Sequence, residues 1–150
     1  MNLVERLYAE HDEHEKNMNT LLAVLDEGGN MEKLKSVFDQ FSRELECHLK
    51  EEEEALFPEL IERLGPQAMP VYVMLQEHEM MRDLVARIRE SHSKGEKAEE
   101  YIKQLIEIVR QHIMKENNVL FQIARQVIEP DMLEIRDDIA EKVRKEFGIG

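Results

Sequence analysis

The chain of 150 residues carries 20 basic against 33 acidic residues, a net charge of −13, with 42% hydrophobic and 35% charged positions. A single domain of this length can bury a real core without cross-links, whereas nucleic acid and acidic membrane surfaces, both bound through Lys and Arg fields, are poor partners for so negative a body. Cys47 is the single cysteine, which excludes an intrachain disulfide and a cysteine-rich zinc site, and with neither a signal-peptide start nor an apolar run of bilayer length the expected setting is cytoplasmic.

Glycine and proline divide the chain into five predicted helices and no strands. Gly28, Gly29 and Asn30 close the first, over about 2–27. The second begins near Met31 and ends at Gly65 and Pro66, with Pro58 inside it and expected to kink it. Pro70 opens the third harmlessly. Ser93, Lys94 and Gly95 end it, and the fourth runs from near Lys97 to Pro130. A fifth helix covers 131–147, with Met132, Ile135, Ile139, Val143 and Phe147 on one stripe.

Each long helix carries one apolar seam in steps of three and four. The seams read Leu7, His11, His14, Met18, Leu21, Leu25; then Leu34, Phe38, Phe41, Leu45, His48, Glu52, Ala55. They continue as Val71, Leu75, His78, Met81, Val85, Ile88; then Ile102, Leu105, Val109, His112, Glu116, Val119, Ile123. Short loops make consecutive helices antiparallel, so the fold class is all-α, an up-down-up-down four-helix bundle with a short additional C-terminal helix. Residues 1–130 form the bundle, and 131–150 pack on it or on a partner, a homodimer contact being the second option.

Sliding the sequence against itself by 64 residues superimposes the halves without a gap. Tyr8 falls on Tyr72, Glu13-His14-Glu15 on Glu77-His78-Glu79, His48 on His112, Glu52 on Glu116, and Leu56-Phe57 on Leu120-Phe121. Counting from the loops at about 1.5 Å per residue sets the polar groups of all four helices within roughly one turn of the same level. A lone His-x3-Glu on a helix is ordinarily a solvated pair. Here both copies interrupt apolar seams and stand level with a histidine from each remaining helix. Buried carboxylates with no basic residue beside them on the seams are costly, and cations remove that cost. Imidazole and carboxylate together suit iron, zinc or manganese, with Glu52 and Glu116 bridging two metals and histidines terminal.

Those motifs, HLKEEEEALFP and HIMKENNVLF with the single histidines of DEHEK and QEHEMMR, resemble the hemerythrin-like domain over about residues 3–128. The resemblance implies a non-haem di-iron centre of the Fe-O-Fe type, held by His14, His48, Glu52, His78, His112 and Glu116, that binds dioxygen, nitric oxide or peroxide. The family's dioxygen carriers take two histidines from the third helix and His-x4-Asp from the fourth, so this chain departs from reversible oxygen storage. His11, one turn before His14, either adds a nitrogen or replaces His14, and the repeat favours His14. Alternative functions are an iron or redox sensor acting through protein partners and a di-iron reductase of peroxide or dioxygen. The resemblance extends to iron-sulfur cluster repair proteins, which carry a cysteine-bearing segment ahead of the bundle; none precedes it here, which argues against repair.

The remaining candidates are set aside. Tyr8 and Tyr72 are read as core filler with the hydroxyl reaching water, Cys47 as a small buried residue, and His92 as exposed and too distant, about 21 Å along the axis from His78. Glu51, Glu53 and Glu54 are read as a solvated face, the alternative being that one of them supplies an extra carboxylate where a coordination position is empty.

Overall fold

The computed structural model describes residues 1–150, all of its regular structure helical. Helix α1 (Leu3–Asp26) starts on a capping box in which Asn2 Oδ1 accepts from the Glu5 N–H at 2.9 Å. It ends at the turn where Gly28 takes a positive φ of 63°, a conformation that costs glycine little. Helix α2 (Met31–Glu51), capped by Asn30, passes through a π-helical turn (Glu52–Leu56) into α3 (Phe57–Leu64). After a 3₁₀ turn, α4 (Met69–Ser93) runs back. Helix α5 (Glu99–Lys115) then meets a second π turn (Glu116–Leu120) and continues as α6 (Phe121–Val127). Helix α7 (Pro130–Glu146) closes the chain.

The two π turns correct the expected second and fourth helices. Both begin at the glutamate of a His-x3-Glu pair, and in each the N–H of the following phenylalanine reaches back five residues, Phe57 to Glu52 O and Phe121 to Glu116 O. Pro58 is not the cause, since Gln122 occupies its place in the second copy. The proline instead sits in the first turn of α3, directly after the π turn, where its missing N–H withholds one donor from the preceding turn. One extra residue per turn advances the buried face by one position. Leu120, Phe121 and Ala124 therefore enter the core, whereas the expected Val119 is 52% exposed.

Two apolar cores lie on either side of a polar layer. Met18, Leu21, Phe38, Phe41, Val85 and Leu105 belong to one, and Leu7, Leu56, Phe57, Val71, Leu120 and Phe121 to the other. Helix α7 packs on this chain's own α1, α2 and first π turn, turned from the expected face. It buries Leu133, Asp137, Ala140 and Val143, while Ile135 points to solvent. Polar anchors account for the rotation. Arg6 on α1 grips Asp137 through two hydrogen bonds of 2.6 and 3.0 Å. Arg136 donates to Glu54 O and Ala55 O at 2.8 and 2.9 Å, capping carbonyls of the first π turn.

Candidate metal centre

Six side chains meet in the polar layer in two overlapping groups, His11, His48, Glu52 and Glu116 in one and Glu52, His78, His112 and Glu116 in the other. Within each group the candidate ligand atoms all lie within 4.8 Å of one another. The two glutamates are fully buried, and the four imidazoles are at most 3% exposed. Helices α1 and α4 each give one histidine, and α2 and α5 each give a histidine with the glutamate that opens the π turn.

Every Nδ1 of the four imidazoles faces an oxygen at 2.7 Å: Asn117 Oδ1 for His11, Glu10 Oε1 for His48, Glu53 Oε2 for His78 and Glu77 Oε1 for His112. Such partners place the proton on Nδ1 and aim the Nε2 lone pair inward. There it meets carboxylate oxygen, His11 to Glu116 at 2.9 Å and His78 to Glu52 at 3.0 Å. His48 and Glu52 approach to 3.2 Å, and His112 and Glu116 to 3.3 Å. These four atoms, His48 Nε2, Glu52 Oε2, His112 Nε2 and Glu116 Oε2, nevertheless lack a hydrogen-bond partner. Lone pairs converge on carboxylates with nothing positive between them except a proton or a metal ion.

The titration of the site reflects the same demand. Burial works against charging His48 and His112, yet the carboxylates of Glu52 and Glu116 and the outward acidic partners hold both well above the usual imidazole range. His78 is raised too, burial being outweighed by Glu52 and Glu53. Glu116, despite burial, is held well below the carboxylate range by His112 and its hydrogen bonds. Imidazole nitrogen with carboxylate oxygen in two such groups fits a first-row transition metal such as iron. Bonds of about 2.0–2.2 Å to nitrogen and oxygen require only slight inward settling of these atoms.

Histidine 14 lies beside this constellation and not in either group. It is 2% exposed, its ring centroid is 4.8 Å from that of His48, and neither nitrogen has a hydrogen-bond partner. The reason is a register slip of three residues. In α1 the offset that matches structure is 67, not 64. It sets Glu10-His11 on Glu77-His78, Met18 on Val85, Leu21 on Ile88 and Gly28 on Gly95, both glycines with positive φ. On this register the counterpart of His14 is the buried Met81.

The outward partners Glu10, Glu53, Glu77 and Asn117 escaped the sequence reading. Their signal was present as the Glu-His dipeptides and as the residue after each of the converging glutamates Glu52 and Glu116. Of the glutamates assigned to a solvated face, Glu54 is exposed. Glu53 is not free: besides His78 it takes two bonds from Arg82, and it is held down to about 2 although burial opposes this. Glu51 is fully buried, pushed up to about 8 by burial and by the charge of Glu10. Cys47 is buried as expected, its thiol donating to Glu51 at 3.3 Å. Tyr8 and Tyr72 are neither core nor site, at 43% and 47% exposure. His92 is buried, not exposed, because its Nε2–H donates to Lys97 O at 3.0 Å and its ring meets Phe38 edge-on.

Comparison with known proteins agrees with this geometry. The hemerythrin HHE cation binding domain matches residues 2–124. The chain belongs to that family. Among curated proteins, the iron-sulfur cluster repair protein YtfE of Escherichia coli and that of Escherichia fergusonii are each 30% identical to it over 129 residues, covering 79% of this chain and 51% of theirs. The chain thus spans about half the length of the curated relatives it matches. No solved structure matches it. No helix is long and apolar enough to cross a membrane.

Proposed function

We propose that this chain is an up-down-up-down four-helix bundle holding a dinuclear non-haem iron centre of the Fe-O-Fe type, in the cytoplasm, that binds a small ligand such as dioxygen, nitric oxide or peroxide. His11 and His48 serve one metal, His78 and His112 the other, and Glu52 and Glu116 are shared. One observation carries the reading: four inward Nε2 atoms, each fixed by an oxygen on Nδ1, converge on two buried carboxylates within reach of one another. Bound iron supplies electron transfer and open coordination to a small ligand. The protein's part is to hold the imidazoles in one tautomer, to share two negative charges between the metals, and to keep water out. Phe121 stacks on His11 at 5.2 Å and Phe57 lies 5.3 Å from His78, so the end of the layer facing α3 and α6 is walled by aromatic carbon.

The test is anaerobic loading with ferrous iron followed by exposure to nitric oxide or dioxygen. Reversible change in the near-ultraviolet iron bands without turnover is the expected result; repeated consumption of peroxide would instead make the chain a reductase. Repair of iron-sulfur clusters, the role in the name of the YtfE relatives, is the second reading, favoured by the 30% identity over 129 residues. It predicts restoration of a damaged cluster protein by the iron-loaded chain.

A further inference from the structure

Between α1, α2 and α7 lies a small cleft of about 40 Å³ lined by Glu10, Glu13, His14, Glu44 and Arg144, with no apolar residue among them. His14 forms its buried wall, 2% exposed with neither ring nitrogen bonded. A neutral imidazole in that state bears a desolvation cost that Met81, at the same place in the other half, does not. Packing therefore does not explain it. The mouth is acidic: Glu13 has only exposed Lys16 at 3.4 Å, and Glu44 accepts from Asn17 at 2.5 Å. Glu10, bonded to His48 Nδ1 on its inner oxygen, accepts from Arg144 at 2.8 Å on the other. Three carboxylates against one guanidinium attract cations, and behind His14 stands the His48 ring.

We propose that this cleft is a third, transient site for a divalent cation, in which His14 and the carboxylates of Glu13 and Glu44 receive the ion and pass it to the dinuclear centre. The proposal rests on the metal-centre reading above. It explains why α1 carries a second histidine one turn after His11 where α4 carries Met81 one turn after His78. His11 belongs to the centre and His14 to its entrance.

Uptake of ferrous iron by the metal-free full chain, followed by stopped flow and ended by counting irons per chain, separates the two ideas. His14→Leu replaces a buried imidazole by an apolar side chain as the other half does, and a Glu13→Gln/Glu44→Gln double variant changes only residues at the mouth. Both are expected to reach two irons per chain but roughly tenfold or more slowly than the unmodified chain, the low end of what a charged funnel contributes to association. Uptake at the unmodified rate in either variant would overturn the port. Arrest of His14→Leu at one iron would overturn it differently, making His14 a ligand of the centre. Failure of the unmodified chain to take up two irons would instead sink the parent reading.

Discussion

Replacing Glu77 tests the claim that the outward acidic partners, and not only the six converging residues, make the metal centre. Glu77 Oε1 accepts from His112 Nδ1 at 2.7 Å, its other oxygen takes Lys115, and its side chain is only 14% exposed, so solvent screens it little. Removing such a partner from a ligating histidine ordinarily costs 10- to 100-fold in metal affinity, about 1.4–2.7 kcal/mol. Glu77→Gln keeps an acceptor oxygen and loses the charge, so it is expected near the low end. Glu77→Ala loses both and is expected near the high end. The loss should fall on the metal beside His78 and His112, so titration against a competing chelator should show one weakened and one little-changed iron. Glu15→Gln, which disturbs only the exposed pair with Arg110, should leave both intact. Unmodified affinity for both irons in Glu77→Ala would refute the reasoning.

Three further outcomes follow from the same geometry. Free iron at 100 times the dissociation constant should stabilise the fold by about 2.7 kcal/mol for each site filled, raising Tm by about 5–10 °C per site for a chain of this size; coincident melts with and without metal would contradict this. Because His48, His78 and His112 are raised in the folded, metal-free chain, their stabilising contribution is complete below the ordinary imidazole value of about 6.5 and is lost as pH rises through the folded-state values. The Tm gap between metal-loaded and metal-free protein should therefore widen with rising pH, and loading near neutrality should release protons, measurable in unbuffered solution; a constant gap with no release is the adverse result. Arg136→Ala uncaps two carbonyls of the first π turn and should cost about 1–3 kcal/mol in urea unfolding, a change within about 0.5 kcal/mol counting against the role given to α7.

Much of this was legible in the sequence because the demand for cations overrides the demand for packing. His48, Glu52, His112 and Glu116 stand at polar interruptions of apolar seams and obey one offset, which fixed four of the six converging residues and the level at which they meet. His78 followed from its own seam. The choice between His11 and His14 turned on register, because Glu10-His11 and Glu13-His14 offer two registers three residues apart; the ungapped match favours His14, whereas the structure brings His11 into the converging set. The apolar residues hold the answer: at offset 64 buried Met18 falls on Arg82, and at 67 on buried Val85. The π turns were not legible, since a helical period of 3.6 carries no sign of one inserted residue until the buried face shifts from Val119 to Leu120. The face of α7 was set by Arg6, Asp137 and Arg136, polar contacts across more than 80 residues of sequence that a hydrophobic stripe does not encode.

Anomalous diffraction at the iron edge from crystals of the iron-loaded protein tests the central claim most directly. Two peaks are expected, one against His11 and His48 and the other against His78 and His112, both touching Glu52 and Glu116. A single peak, or none with the four imidazoles turned outward, would contradict it.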